Sequence, residues 1–370
     1  MAAVTFAVPG SLDQPTGGYN YDRRVIAGLR QRGCEVEVID LGDGFPRPTP
    51  ETRDAALPRL RRVPAGQPIV VDGLALGVLP DAAEALRSSH RLIALVHHPL
   101  ALESGLAPAE RAALRESERA ALSAVTRVVV TSPATRDILV ADYGVPPEII
   151  AVALPGSVPM VGATLARKQA GKTINLLAVG AVVPRKGYDV LIEALGQLTD
   201  LDWQLVVAGD CKRDRTTAME LAATIARKGL EPRVCLAGAV NEHDLAALYG
   251  EADVFVLASR FEGYGMAYAE AIAHGLPVVG TRVGAIPDTV PADAGVLVPP
   301  DDTAALAAAL RSMMTDPGLR EHCSAAARAT PMPTWEAATQ AFLDVFAPFP
   351  LPPAPRCPPL HAGPGSEGGA

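Results

Sequence analysis

The stretch from Leu257 to Val279, LASRFEGYGMAYAEAIAHGLPVV, combines in one segment the signals that decide the fold. A short apolar run ends at Leu257, a glycine-rich stretch follows, and an apolar pattern with helical spacing then leads to Gly275 and a second apolar run. This order predicts a strand, a loop, a helix over 265–273 and another strand. Glycines in the loop let a ligand approach the backbone closely, and the unpaired N–H groups of the helix N-terminus suit a diphosphate.

The same alternation of short apolar runs and helical patterns extends along most of the chain and predicts parallel sheets built from strand-helix-strand units. Strands are predicted at 4–8, 36–39, 69–71, 92–96, 128–130, 149–153, 174–179, 204–208, 234–236, 254–257, 278–279 and 296–298. Helices are predicted at 81–87, 109–124, 134–141, 188–198, 216–228, 244–249, 265–273, 303–314 and 335–346, with an earlier one through Val25, Ile26 and Leu29. The sequence therefore belongs to the α/β class.

A segment rich in proline, glycine and small residues, 155–172, separates two similar series of predicted elements and is typical of a linker. We therefore predict a first domain over 1–160, a second over 161–332, and a cleft between them at the carboxyl ends of the strands. A helix within 333–347 is placed where it can pack across the domain junction. Residues 348–370 are dominated by proline and glycine, which predicts a disordered tail.

The composition excludes several classes of partner. The chain has 33 basic and 41 acidic residues and a formal net charge of −8. Neither half is basic, which argues against a nucleic-acid partner and against tight docking on an anionic membrane. No apolar stretch approaches the ~20 residues of a membrane span, and the N-terminus has no basic leader. The five cysteines lack metal-ligand spacing, so reduced thiols in a soluble, cytoplasmic protein are expected.

Two acidic residues, Glu262 in the glycine-rich loop and Glu270 in the following helix, make the opening segment more specific. Together with the ending AHGLPVV, they closely resemble the E-x7-E region of the family 4 glycosyltransferases, which are retaining enzymes with the GT-B fold. The resemblance implies two Rossmann-like domains, a contact between Glu262 and the donor hexose, and hydrogen bonds from the ribose hydroxyls to Glu270. The same segment supplies the further donor-binding candidates Gly263, Tyr264, Gly265 and Met266.

Arg185 and Lys186 follow another predicted strand, in the sequence VGAVVPRKGY from Val179 to Tyr188. A guanidinium and an ammonium are the two usual partners of phosphate, although an isolated Arg-Lys pair is more often part of a solvated loop. The family resemblance places this pair in the loop that neutralises the donor diphosphate. Cations there would stabilise the negative charge that builds up on the departing nucleoside diphosphate.

Two strand ends in the first half add further candidates. Gly17 and Gly18 follow the first strand in a turn too short for a dinucleotide fingerprint, and the family has a similar glycine loop that faces the donor phosphate. His97 follows a later strand and matches a family histidine that contacts the donor sugar. The adjacent His98 would point the other way on an extended chain. A two-histidine metal site is therefore not expected, and His97 is preferred over His98.

Together these residues predict a retaining hexosyltransferase that moves a sugar from a nucleoside diphosphate, with UDP and GDP favoured, to an acceptor hydroxyl. The catalytic candidates are Glu262, Arg185, Lys186 and His97. Because cations can replace a metal on the diphosphate, neither a metal nor another cofactor is expected. A soluble small molecule or a saccharide is favoured over a lipid as acceptor. The alternatives are a phosphorylase, a nucleotide-sugar epimerase, or an inactive protein that binds nucleotide sugars.

Overall fold

The computed structural model of the chain describes residues 3–14, 16–157 and 173–347. The strands in these ranges form two parallel sheets of six strands each, one before and one after residues 158–172. This architecture confirms the predicted α/β class with two sheets. The predicted domain boundary at 160/161, most of the predicted linker and the predicted tail 348–370 lie outside the described residues.

The first sheet has the strand order β2-β1-β3-β4-β5-β6. Its strands are β1 (Ala3–Val8), β2 (Glu35–Asp40), β3 (Pro68–Asp72), β4 (Arg91–Val96), β5 (Arg127–Val130) and β6 (Ile150–Val152). The helices of this half are α1 (Gly17–Gln31), α2 (Pro50–Leu60), α3 (Gly73–Leu76), α4 (Pro80–Leu86), α5 (Pro108–Leu122) and α6 (Pro133–Tyr143). The inner strands are buried apolar runs, as expected where helices cover a parallel sheet. The winding direction reverses between β1 and β3, which leaves a crevice at their carboxyl ends.

The second sheet has the strand order β12-β11-β10-β7-β8-β9. Its strands are β7 (Ile174–Val179), β8 (Trp203–Ala208), β9 (Val234–Gly238), β10 (Val254–Val256), β11 (Val278–Thr281) and β12 (Gly295–Val298). The remaining helices are α7 (Tyr188–Leu195), α8 (Arg215–Arg227), α9 (Glu242–Glu251), α10 (Met266–Ala273), α11 (Ile286–Thr289), α12 (Thr303–Thr315), α13 (Pro317–Ala329) and α14 (Trp335–Phe346). Here the winding direction reverses between β7 and β10, so the second crevice lies between the loops that follow these two strands.

Two local features differ from the sequence-based expectation. The glycines predicted to form a turn, Gly17 and Gly18, are the first residues of α1, and the hydroxyl of Thr16 caps this helix by accepting from the N–H of Tyr19. The helices α2 and α13 were missed because proline and glycine make their sequences resemble turns: α2 contains Pro58, and α13 begins with Pro317-Gly318. Within the described residues, no helix is long and apolar enough to cross a membrane.

The last helix, α14, follows the second sheet but packs on the first half, mainly against α1. The ring of Phe342 lies 5.9 Å from the ring of Phe6 on β1 and 6.4 Å from that of Tyr21 on α1, measured between centroids. At the far end, the guanidinium of Arg91 donates hydrogen bonds of 2.9 Å to three carbonyl groups of residues 345–347. A cation at these unpaired carbonyls stabilises the end of the helix.

A buried carboxyl group supports the turn that follows β4. Glu118, on α5, is 1% exposed, and its Oε2 accepts a hydrogen bond of 2.9 Å from the N–H of Leu100. Burial raises the pKa of Glu118 to about 8, although that hydrogen bond opposes the shift. Leu100 lies three residues after His97, so this contact helps to position the histidine.

The raised pKa of Glu118 predicts a pH-dependent stability. The unfolded chain releases this proton near pH 4.5 and the folded protein near pH 8, so the stabilisation that the proton provides is lost as pH rises between these values. Glu118→Gln keeps an acceptor for Leu100 and cannot ionise. We expect the melting temperature of the variant minus that of the wild type to be roughly 5 °C larger at pH 9 than at pH 5. Glu116→Gln, at an exposed position of the same helix, is the control. A melting-temperature difference that stays constant across this range would contradict the assignment.

Candidate active site

The loops that follow β7 and β10 lie side by side at the crevice of the second sheet. Gly187 has a left-handed φ of 64°, and a Cβ atom at this position would lie 1.9 Å from the carbonyl oxygen of Ala258. The N–H of Arg260 donates to the carbonyl of Arg185 over 2.7 Å. A glycine is therefore required for the two loops to meet, and the backbone contact sets the relative position of the side chains that they carry.

Glu262 lies at the centre of this contact and is 6% exposed. Its Oε1 accepts hydrogen bonds from Lys186 Nζ at 2.6 Å and from Ser259 Oγ at 2.7 Å. Its Oε2 accepts from Arg185 Nη1 at 3.1 Å, and the same nitrogen donates to the carbonyl of Phe261 at 2.8 Å. Three of the predicted catalytic residues therefore form one buried ion cluster.

The charges of this cluster depend on one another. Burial alone would raise the pKa of Glu262, but Lys186 and then Arg185 outweigh it and lower the pKa to about 2. Burial lowers the pKa of Lys186, and Glu262 opposes that shift. The pKa of Arg185 is raised by its two carboxylate partners, Glu262 and Glu103, against the effect of burial. The carboxylate of Glu262 thus lies between the side chains of Lys186 and Arg185, which favour its ionised form.

The first half contributes its candidates directly opposite this cluster. A Cβ atom on Gly263 would lie 2.0 Å from the carbonyl oxygen of His97, so the backbones of the two halves touch here. A Cβ atom on Gly17 would lie 3.4 Å from the sulfur of Met266, and one on Gly18 would lie 3.4 Å from Cδ2 of the His97 ring. The structure therefore brings these five predicted site residues together at one cleft.

The adjacent histidines face different partners, as expected for an extended chain. Nε2 of His97 lies 3.2 Å from Oδ1 of Asp22 and 3.9 Å from Oδ2 of Asp72, both buried carboxylates of the first half. Nε2 of His98 lies 3.4 Å from Oε2 of Glu103. The pKa of His98 is lowered, chiefly by burial.

One ion pair links the two sides of the cleft through the same cluster. Nε of Arg185 lies 3.2 Å from Oε1 of Glu103, which follows the turn after β4. Burial would raise the pKa of Glu103, but its hydrogen bond to His98 and the charge of Arg185 lower it to about 2. Arg185 therefore has a carboxylate partner in each half of the molecule.

Glu270 lies apart from this cluster, on α10. Its Oε2 accepts a hydrogen bond of 2.9 Å from the hydroxyl of Tyr249, and burial raises its pKa. The helix starts after Gly265, which has a left-handed φ of 87° and so lets the chain turn sharply into α10. The carbonyl of Tyr264 accepts from the hydroxyl of Thr289 at 2.6 Å, which fixes the loop from its outer side.

Comparison with known proteins identifies the family of this chain. Residues 166–330 match the family model described as glycosyl transferases group 1. The D-inositol 3-phosphate glycosyltransferase of Xylanimonas cellulosilytica is 30% identical over 395 residues, which cover 91% of this chain and 94% of that protein. The chain belongs to the family 4 glycosyltransferases. The chain also shares 34% identity with the mannosylfructose-phosphate synthase of Agrobacterium fabrum over 173 residues, which cover 43% of this chain and 38% of that protein.

Solved structures show the same overall fold. The sucrose-phosphate synthase of Thermosynechococcus elongatus superimposes on this chain with a TM-score of 0.79 at 21% sequence identity, and the match covers 94% of this chain and 98% of the other. The Anabaena protein HepE, solved in complex with UDP-glucose, gives a TM-score of 0.69 at 19% identity, over 94% of this chain and 97% of the other. These similarities confirm the predicted GT-B fold.

A group that could hold a cation lies in the first half of the glycosyltransferase. Asp22, Asp72 and His97 bring three potential ligand atoms within 4.8 Å of one another. A proton on Nε2 of His97 would place a positive charge between the two carboxylates and so provide the same electrostatic compensation as a bound ion.

Sequence reasoning missed several residues that contact the predicted ones: Asp22, Asp72, Glu103, Tyr249 and Ser259. Asp22 could have been found because it lies on the buried face of α1, with Val25, Ile26 and Leu29, where an acid is unexpected. Asp72 ends a buried strand and thus lies at the cleft edge. Glu103 has no comparable signal, since its partner Arg185 lies in the other half.

The contact at Gly263 predicts a specific defect. Gly263→Ala would place a methyl group against the carbonyl of His97 and push the two halves apart, so we expect sugar transfer to fall about 10- to 100-fold with an unchanged circular dichroism spectrum. Gly250→Ala is the matched control, because a Cβ atom there has no atom within 4 Å. Transfer by Gly263→Ala at more than half the wild-type rate would show that the halves need not touch here.

Proposed function

We propose that this glycosyltransferase moves a hexose from a nucleoside diphosphate sugar, UDP- or GDP-linked, to an acceptor hydroxyl with retention of anomeric configuration and without a metal. The observation that carries the proposal is the ion cluster of Glu262, Lys186 and Arg185 beside the start of α10. It combines a sugar-binding carboxylate with two cations for a diphosphate at the crevice of a parallel sheet.

Within its own half the cluster has an excess positive charge, because two cations share the carboxylate of Glu262. In this structure Glu103 of the first half balances that excess through Arg185. A diphosphate bound beside the two cations would compensate the same excess, and the N–H groups at the start of α10 would donate to the same oxygens. As the bond from the sugar to the diphosphate breaks, the electron pair moves to the leaving oxygen. Fixed cations at that position stabilise the transition state more than the bound substrate.

Glu262 acts in this proposal as a hydrogen-bond acceptor for a hexose hydroxyl. Its pKa of about 2 shows that the carboxylate is strongly stabilised in its ionised form by Lys186 and Arg185, which makes it a weak nucleophile toward an anomeric carbon. Retention then follows from the family resemblance. Glu270, next to Tyr249 and further along α10, is assigned to the ribose hydroxyls.

The names of the relatives bear on the acceptor. They describe transfer to D-inositol 3-phosphate and synthesis of mannosylfructose phosphate. We accordingly propose a soluble small molecule or saccharide as acceptor, rather than a lipid, and a cytoplasmic enzyme. The excess of acidic over basic residues in the chain, with a net charge of −8, favours the same choice because anionic lipid surfaces attract basic proteins.

The proposal is tested by incubating the enzyme with UDP-, GDP-, ADP- and TDP-hexoses and with hexose 1-phosphates, each with and without EDTA. We expect one nucleotide sugar to raise the melting temperature and to release its nucleoside diphosphate slowly through hydrolysis, and EDTA to have no effect. Turnover of a sugar phosphate would instead indicate a phosphorylase. Loss of turnover in EDTA with recovery in Mg²⁺ or Mn²⁺ would contradict the metal-free mechanism.

The role of the cluster predicts the effect of two substitutions. Glu262→Gln keeps an acceptor for Ser259 but removes the charge that orders both cations, and Lys186→Ala removes one cation. We expect either change to lower kcat/KM about 10²- to 10³-fold with the fold retained by circular dichroism. Lys228→Ala, which breaks the surface ion pair with Glu193, serves as the control and should keep wild-type activity. Near-wild-type kcat/KM in either cluster variant would refute the site assignment.

A further inference from the structure

A second buried charge cluster lies in the first half, at the crevice between β1 and β3. Asp22, on α1, has no exposed surface, and Asp72, at the end of β3, is 6% exposed. Both carboxylates face Nε2 of His97, at 3.2 Å and 3.9 Å. One oxygen of Asp72 also accepts from the N–H of Leu74 at 2.7 Å, which fixes that carboxylate in place.

Asp22 has an unusual environment for a buried acid. Neither of its oxygens has a hydrogen-bond donor of good geometry within the described structure. A buried ionised carboxylate without a partner is strongly destabilising, whereas a nearby cation compensates the charge. His97 lies within reach to supply that cation. The arrangement is therefore stable when the imidazole carries a second proton.

The orientation of the His97 ring is fixed from several sides. The ring of Tyr21 packs edge-on against it, with 5.3 Å between centroids and an interplanar angle of 85°. The edge formed by Cδ2 and Nε2 lies against Gly18. Nε2 is directed at the two carboxylates, so Nδ1, on the other side of the ring, points away from them.

We propose that Asp22 and Asp72 are positioning residues that hold His97 as an imidazolium ion, so that the first half presents a fixed positive charge to the donor opposite Arg185 and Lys186. The inference rests on the proposed function, because it takes the ligand of His97 to be a nucleoside diphosphate sugar. Asp22 and Asp72 need not touch this ligand. They act through the charge and the orientation of the imidazole.

The titration of the cluster agrees with this geometry. Burial would lower the pKa of His97, but Asp22 and then Asp72 outweigh it and raise the pKa. Burial and the charge of Asp22 raise the pKa of Asp72 to about 7, with His97 opposing. Three other titratable groups interact electrostatically with the cluster: Tyr19 and Tyr21 on α1, and His98 in the turn after β4. Tyr19 in turn interacts with the charges of Asp43 and Arg213.

The proposal predicts how donor binding depends on pH. The imidazolium is present below the raised pKa of His97 and is lost as pH rises through it, so the KM for the donor should increase over that range. Asp22→Asn has almost the same shape but no charge. It should shift the titration of His97 to lower pH by about one unit or more, and raise donor KM about tenfold at pH 7.5 with kcat changed less than threefold.

The experiment follows the histidine signals of the full-length enzyme by NMR between pH 5 and pH 9, with His97→Gln used to assign the signal, and measures donor KM and kcat across the same range. Asp137→Asn, at an exposed ion pair with Arg136, is the matched control. If Asp22→Asn does not fold, Asp72→Asn is used, since an amide oxygen can still accept from Leu74. An unchanged His97 titration in a folded variant would overturn the proposal.

Two further outcomes are separable from this one. If wild-type enzyme turns over no nucleotide sugar but the His97 titration shifts in Asp22→Asn, the proposed function fails, and with it the role given to the imidazolium, while the ion cluster itself stands. If EDTA treatment shifts the His97 titration of the wild type and Mn²⁺ or Zn²⁺ restores it, the two carboxylates hold a metal and not an imidazolium. That result would also overturn the proposal.

Discussion

The buried carboxylate of Glu262, held by Lys186 and Arg185, is the interaction on which the rest of the cleft depends. Each partner supports the others: burial alone would raise the pKa of the carboxylate and lower that of Lys186, and the opposite charges oppose both shifts. Because the cations follow β7 and the acid follows β10, the cluster joins the two loops on either side of the point where the sheet reverses its winding. Arg185 extends the cluster across the cleft through Glu103.

Much of the fold could be predicted from the sequence, since strands buried on both faces are continuous apolar runs. Ile174–Val179 and Trp335–Phe346 have the predicted bounds, whereas α2 and α13 were hidden by their prolines. The site was less accessible. Physical reasoning about 261–265 gives a glycine-rich turn before a helix, and the family resemblance was needed to assign Glu262. Glu103 could not be predicted because its position depends on how one half docks on the other, which no local pattern records.

Glycines were interpreted from the sequence as places where a ligand approaches the backbone. The structure adds a second use for them, as places where protein approaches protein. Gly263 meets the carbonyl of His97 in the other half, and Gly187 meets that of Ala258 in the neighbouring loop. In both cases a side chain as small as a methyl group would separate elements that must touch. A glycine at the cleft can therefore allow the two halves to come into contact and can also allow a donor to approach the backbone.

The return of α14 to the first half has a topological consequence. The chain passes between the halves twice, once between residues 157 and 173 and again between α13 and α14. Two covalent crossings constrain the relative movement of the halves more than a single linker would. They also mean that the first half is not one contiguous piece of chain. A fragment ending at residue 157 would leave the rings of Phe6 and Tyr21 without the cover that Phe342 provides, so the core of the first half is complete only when α14 is present.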